Sequence, residues 1–514
     1  MEYPSFLLAL LLLWCELLAA AKVVPMSVRR NERRFNKRKR DIVSTAVPLA
    51  NRQSLGLYEI NITVGTPPQS MTLDLDTGSS DIWMYGPNAY SGCDACLGNN
   101  YDKTKSSTYK LVTKDGFTIS YVDETGASGD YFTDIVGLGG VNITKVTLAV
   151  ANELEGWDIP SPSVMGIGFD SNEAINEAGR LYKGILGHML DQKLINSRAY
   201  SLWLDDLDAA SGTILFGGYD TSKYVGNLTV LDIQPDAENA NRKDVFNVAW
   251  TSLSVNNASS SVNLTDASFK QAALLDSGTS LTYVPRDIFQ KLATAFGAYQ
   301  NETTGMVIVP CETNKGTLDF GFGGSTAPVV SIPFSELAPK AFDLDGRPLL
   351  LESGKQACEF GLLPSDGPDD ITFGDTFLRS AYVVYDLDNK LIAMANSNFG
   401  ADANTNTVEI QAGKNPFADV AMGEGTLTSA TAATVTATRT GTHGVEQTAE
   451  SGALSLPTSP GSMTSQIVSS TGNMAGSSST GTAVSGKAAV ATAPLLCAGA
   501  VMAGVVVLGA SLGS

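Results

Sequence analysis

Two short segments of this chain repeat one another 200 residues apart. Leu73-Asp74-Leu75-Asp76-Thr77-Gly78-Ser79-Ser80 is echoed by Ala273-Leu274-Leu275-Asp276-Ser277-Gly278-Thr279-Ser280. In each, an apolar run leads into an aspartate, then a small hydroxyl residue, then glycine. A second matching feature follows each one: two uncharged residues and a glycine, in Val164-Met165-Gly166 and in Thr372-Phe373-Gly374, at offsets of 90 and 98 residues from the aspartates. The same features in the same order at near-equal spacing predict a duplicated lobe. The length agrees, because 514 residues exceed what a single core accommodates.

The repeated segments also carry a chemistry. The glycine after each aspartate lets the backbone turn sharply and aim amide hydrogens at the carboxylate. The hydroxyl residue between them can lock two such loops together, and a pseudo-twofold axis would then set the carboxylates side by side. Like charges at that separation do not both ionise, so the pair holds one proton. One carboxylate then acts as general base on a shared water, while the protonated one polarises a scissile carbonyl and later donates its proton. The scheme needs no metal, no cofactor and no covalent intermediate. A single Asp-Ser/Thr-Gly is an ordinary tight turn, whereas two copies point to Asp76 and Asp276 as the catalytic pair. Thr77, Gly78, Ser79, Ser277, Gly278 and Thr279 form their loops. The chain has only two histidines, His188 and His443, which gives no basis for a histidine zinc site or a Ser-His-Asp triad.

Residues 41–400 have an all-β texture, with short Val/Ile/Tyr/Thr runs between Gly, Asn, Asp and Pro breaks. Strands are expected at Leu57–Val64, Met71–Leu75, Val146–Val150, Thr213–Phe216 and Ala381–Tyr385, and helices at Asp287–Phe296 and Leu186–Leu194. The ends read differently. Phe6 to Leu18 is mostly apolar and precedes Ala19-Ala20-Ala21, which predicts a secretory signal over residues 1–21. A basic segment, 22–40, ends in Lys37-Arg38-Lys39-Arg40 and predicts cleavage after Arg40. Beyond about residue 400, Ser, Thr, Ala and Gly dominate. That composition cannot bury enough surface to fold, and it predicts an O-glycosylated stalk over 401–481. The apolar end from Leu495 to Leu512 has no flanking Lys or Arg, as expected of a lipid-anchor signal over 482–514 attached near Gly481.

Six sequons, at Asn61, Asn142, Asn227, Asn257, Asn263 and Asn301, agree with export. Outside the signal and the tail, four cysteines remain, and an oxidising compartment predicts two local disulfides, Cys93–Cys96 and Cys311–Cys358. The Cys93-x-x-Cys96 spacing also fits a redox pair or half a zinc site, although no second close pair or histidine cluster supports either. The first 40 residues hold nine Lys/Arg and three Glu. Of the whole chain's 34 basic and 53 acidic residues, this leaves 25 and 50 from Asp41 onward. Such a surface disfavours nucleic acid and favours basic partners.

Over about residues 50–400 the chain resembles the pepsin-like aspartic proteases. Asp76-Thr77-Gly78-Ser79-Ser80-Asp81-Ile82-Trp83 is similar to the first catalytic motif of that family, and Asp276-Ser277-Gly278-Thr279-Ser280 to the second. Tyr121, in Ile119-Ser120-Tyr121, falls where the family has its flap tyrosine, and Trp83 where it has a tryptophan beside the flap. Asp191-Gln192-Lys193-Leu194-Ile195 and Ile214-Leu215-Phe216-Gly217-Gly218 also resemble family segments, and Cys311/Cys358 matches the disulfide of its second lobe. The resemblance implies an all-β, bilobal fold with lobes at 41–240 and 241–400 and a cleft between them. It implies a monomeric endopeptidase acting on proteins or peptides. The acidic run Val122 to Asp130 looks more like that of fungal cell-surface members, the yapsins, although the long insert common in yapsins has no counterpart here. In that subfamily an acidic residue at the position of Asp123 accompanies acceptance of Lys before the scissile bond. The plainer alternative is that Asp123 and Glu124 solvate a hairpin tip. Two other functions fit an aspartic-protease fold: an inactive binding module, and a wall glycoprotein whose stalk matters more than its lobes.

Overall fold

In the computed structural model the described residues are 24–30, 58–87, 89, 100–121, 125–155, 163–175, 181–209, 211–235, 243–312, 315–323, 328–343, 347–365, 367, 370–401, 406–411 and 413. The signal, Arg40, Cys93, Cys96, Asp123, Glu124, Gly481 and the anchor signal lie outside them. The expected strands form, at Tyr58–Val64, Gln69–Asp76, Val141–Glu155, Ser211–Phe216 and Ala381–Asp386. Both expected helices form, at Ile185–Asp191 and Arg286–Phe296. The second presents Ile288, Phe289, Leu292, Ala293 and Phe296 to the core, a helical spacing, and stops at Gly297, whose left-handed backbone (φ 65°) favours glycine.

Among the described residues most strands belong to two sheets. The larger has thirteen strands and runs from Tyr224–Asp232 at one edge to Lys110–Ser120 at the other. The smaller has eight and carries the second aspartate segment, Gln271–Leu275. The larger sheet is shared between the halves: Ala381–Asp386 and Leu391–Ser397, from the C-terminal part of the chain, lie beside Ala199–Trp203 from the N-terminal part. The shared sheet has two dissimilar faces because side chains alternate along a strand. Tyr200, Leu202, Val383 and Tyr385 join the main core. Ala199, Trp203, Tyr382 and Val384 form a separate cluster on the other side with fully buried Ile410.

Ile410 belongs to a segment that the composition shift had assigned to the stalk. Folded structure continues past residue 400: Thr407–Glu409 pairs antiparallel with Gly218–Asp220, and Asn196 donates to the side chains of Glu409 and Gln411. The Ser/Thr-rich composition does begin near there, but its first residues still supply one large apolar side chain to a prepared surface.

Of the basic segment expected at 22–40, Val24–Arg30 is a strand of the shared sheet. It pairs with Ser211–Phe216 along its length and with Tyr58 and Glu59 at its end. Cys311 and Cys358 form a disulfide. Among the described residues no helix is long and apolar enough to cross a membrane.

Candidate active site

Each aspartate sits at the end of a strand that runs parallel to a second strand from far along the chain. Gln69–Asp76 lies against Ser163–Gly166, with Asp76 opposite Gly166. Gln271–Leu275 lies against Thr372–Phe373, and the Asp276 amide donates to the Phe373 carbonyl at 3.1 Å. The two downstream glycines of the repeat therefore have the same task. A Cβ on Gly166 would stand 2.7 Å from the backbone of Ser80 and Asp81, and one on Gly374 would stand 2.2 Å from the Thr279 carbonyl. Only glycine lets the returning strand approach the aspartate loop this closely.

The loops are cross-linked reciprocally. Thr77 Oγ1 donates to the Leu275 carbonyl at 2.9 Å and accepts from the Ser277 amide at 3.0 Å. Ser277 Oγ donates to the Leu75 carbonyl at 2.7 Å and accepts from the Thr77 amide at 3.2 Å. Each carboxylate is held alike. The Gly78 amide donates to Asp76 Oδ1 at 2.7 Å and the Gly278 amide to Asp276 Oδ1 at 2.8 Å. The Ser79 hydroxyl reaches Asp76 Oδ2, and the Thr279 hydroxyl reaches Asp276 Oδ2 at 2.6 Å. A Cβ on Gly78 would come within 2.6 Å of Asp276 Oδ1, and one on Gly278 within 2.6 Å of Asp76 Oδ1. Each loop glycine thus faces the opposite carboxylate.

Both aspartates are fully buried. Burial first, and the Asp276 charge second, push Asp76 well above the usual carboxylate range, against the pull of the Ser79 hydroxyl and the Gly78 amide. Two adjoining carboxyls at which one proton is strongly retained can offer a general acid and a general base to one water.

Tyr121 closes the hairpin of Lys110–Ser120 and Gly126–Leu138, and its amide donates to the Thr125 carbonyl at 2.8 Å. Its hydroxyl accepts from Trp83 Nε1 at 2.7 Å. Burial and the nearby Asp76 charge raise the Tyr121 phenol. The residues expected around a flap are therefore together, while Asp123 lies outside the described residues. Of the six sequon asparagines, Asn61, Asn142, Asn227, Asn257 and Asn263 are exposed and Asn301 is half-buried.

Two groups beside the site were not singled out from the sequence. Asp81 accepts from the hydroxyls of Tyr131 and Tyr182 and from the Ala174 amide. Tyr200 and Tyr385 stack at 4.9 Å beneath the loops, within the field of Asp276. Asp81 stands inside the first motif, but its partners are 50 to 101 residues away, and no local pattern announces them.

A family model for eukaryotic aspartyl proteases matches residues 57–397. Among curated relatives, the probable aspartic-type endopeptidase opsB of Aspergillus fumigatus is 39% identical over 363 residues, which span 70% of this chain and 72% of that protein. Yapsin-3 of Saccharomyces cerevisiae is 32% identical over 395 residues, 73% of each chain. Secreted aspartic protease 1 of Candida albicans is 32% identical over 371 residues, 70% of this chain and 86% of that protein. The chain belongs to the eukaryotic aspartyl protease family and is an aspartic-type endopeptidase.

Proposed function

We propose that Asp76 and Asp276 share one proton and activate one water, so that this enzyme cleaves peptide bonds without metal or covalent intermediate. The observation that carries the reading is the reciprocal pair of loops, in which each carboxylate is buried, held by its own glycine amide and faced by the glycine of the other loop. Asp76→Asn and Asp276→Asn should each lower kcat by at least about 10³-fold, because each removes one half of the proton traffic. A purified variant of either kind that kept a tenth of the activity would refute the assignment.

The same reading makes the enzyme an acid-active protein of the cell surface, made as a precursor. The leading apolar run, the sequons and the apolar tail support export and lipid anchoring, and the yapsin and secreted-protease relatives support the same location. Cleavage after Arg40 would separate Val24–Arg30 from the chain that follows while that strand still pairs within the shared sheet. Asp123 gives a preference for Lys or Arg before the scissile bond, since a carboxylate above a partly desolvated pocket attracts a long cation. Hydrolysis of matched peptides with Lys, Arg, Leu and Phe at that position checks this. Equal rates for Lys and Leu would remove the preference, and an Asp123→Ser enzyme with unchanged preference would assign it elsewhere.

A further inference from the structure

Next to the dyad lies a second pair of buried carboxyls that the peptidase mechanism does not use. Asp81 is fully buried and receives three donors: Tyr131 Oη at 2.7 Å, Tyr182 Oη at 2.7 Å and the Ala174 amide at 2.6 Å. Glu173 is 1% exposed. Its Oε2 accepts from the Tyr182 amide at 2.9 Å, while its Oε1 is buried and has no hydrogen-bond partner among the described residues. Tyr182 therefore bridges the two acids, with its amide on one and its hydroxyl on the other. The residue after Glu173 holds Asp81 as well.

The donor count decides which acid carries charge. Three donors suit a carboxylate, and one donor with an unsatisfied oxygen suits a neutral acid. Among the described residues no cation is paired with Glu173. Lys183, adjacent to Tyr182, is turned to Asp191, and Arg198 is shared between Asp170 and Asp388. The other titratable groups that face Glu173 are Asp81, Asp170, Tyr131 and Tyr182: the two aspartates oppose its ionisation, and the two tyrosines, whose phenols are pushed up, stay neutral and supply no countercharge. Burial, then the charges of Asp81 and Asp170, push Glu173 up to about 9, with only the Tyr182 amide pulling back. Burial also raises Asp81, against the pull of its three donors.

What these contacts hold in place is the flap-side cluster. Ile175 is buried with Trp83, Tyr121 and Tyr131, and Ala174 and Tyr182 pack against them. We propose that neutral Glu173, linked through Tyr182 to Asp81, is a proton-dependent latch that holds Ala174, Ile175 and Tyr182 against the flap tyrosine, and that loss of its proton opens the latch and inactivates the enzyme. The direction follows from linkage. The unfolded chain loses this proton near the ordinary glutamate value of 4.5, and the folded one keeps it to about 9. The contribution of Glu173 to stability is thus complete below the first value and drains away as the pH climbs toward the second.

Glutamine at this position is a permanent imitation of the neutral acid. Purified full-length enzyme and its Glu173→Gln variant would be held at a series of pH values from acid to alkaline, returned to acid, and assayed for residual peptidase activity. Thermal midpoints would be read at each holding pH. Because activity is always measured in acid, titration of the dyad does not enter the assay, and its effect on stability during the hold is common to the wild type and the variant. The variant should match the wild type within about twofold in acid and lose half its activity about one pH unit higher. A role in packing alone predicts the opposite, a variant weaker at every pH. Superimposed inactivation curves, or a shift to lower pH, would overturn the proposal. If Glu173→Gln does not fold, Tyr182→Phe cuts the hydroxyl link to Asp81 and leaves the amide on Glu173. Its midpoint of inactivation should fall to lower pH, and an unchanged midpoint would overturn the proposal equally.

Discussion

At Asp76 and Asp276 the two halves of the molecule hold a carboxyl group in the same way, with a glycine amide on one oxygen and a hydroxyl on the other. Five residues on, they part. The first half has Asp81, tied to two tyrosines and a backbone amide, and the second has buried Leu281. Trp83 reaches a flap tyrosine, whereas its counterpart by spacing, Tyr283, is half-buried. The second half is backed by an ion pair instead. Arg379 follows the short helix Asp375–Leu378 and donates from Nε to Glu336 at 2.8 Å, and Glu336 also accepts from the Leu207 amide at 3.1 Å. The comparison teaches what duplication must keep. The groups that hold the reacting carboxyls are preserved, and those behind them are free to differ in whether they titrate.

That contrast is most exposed to test at the ion pairs. Arg379 and Glu336 are both buried, so Arg379→Met strands a carboxylate and should cost about 3–5 kcal/mol of folding stability. Arg198 of the first half, which joins Asp170 of the same half to Asp388 of the second, is about a third exposed, and Arg198→Met should cost about 1 kcal/mol or less. Denaturant titration of both variants measures the two. Equal losses would mean that the backing of the halves is not different in kind. The loops themselves should behave alike. Gly78→Ala and Gly278→Ala each drive a Cβ to 2.6 Å from the opposing carboxyl, and the resulting misplacement should lower kcat by about 10²-fold in both cases. A large loss in one and none in the other would break the symmetry.

The dyad offers a third, smaller contrast, in stability rather than rate. Asp76 is raised by burial and by Asp276, so the folded state binds a proton that the unfolded chain releases at the ordinary carboxylate value. The benefit is present in acid and disappears as the pH rises. Asp76→Asn removes that dependence. Its thermal midpoint should exceed that of the wild type at about pH 7 and show no such gain at about pH 3. Equal differences at both pH values would mean that the proton is not held at Asp76.

What could be read from the sequence follows the same division. The loops were legible because their function is local: a strand, an aspartate, a hydroxyl and a glycine within eight residues, written twice. The downstream glycines were legible because backbone must pass there without a Cβ. Asp81 lies inside a legible motif, yet its partners Ala174 and Tyr182 are fixed by tertiary packing about a hundred residues away. The end of the fold was misplaced for a related reason. Thr407–Glu409 and Ile410 lie in a stretch whose composition is that of a stalk, and it is the apolar back of the shared sheet, with Trp203 and Tyr382, that makes an isoleucine worth burying. The charge of the segment that holds Val24–Arg30 predicts a pro-segment, but composition does not encode where that strand lies, which its backbone pairing in the sheet sets.

The smallest expected effect concerns the flap of the first half. Tyr121 is 4% exposed and its hydroxyl accepts the Trp83 indole N–H at 2.7 Å. Tyr121→Phe keeps the ring in its cluster with Phe117 and Tyr131 and removes only the acceptor. The indole donor is then buried without a partner, at a cost of about 1–2 kcal/mol. Part of that cost falls on the folded enzyme as a whole and part on the position of the hairpin over Asp76, so kcat/KM should fall by about fivefold and the thermal midpoint by a few degrees. The ratio of the two effects is the informative quantity. If the thermal midpoint falls and kcat/KM does not, the Trp83–Tyr121 contact is packing, and the two halves differ less than their geometry indicates. If kcat/KM falls at an unchanged midpoint, the hydrogen bond acts on the flap alone. A further Trp83→Phe change in the Tyr121→Phe background should then add little, because the pair acts as one unit.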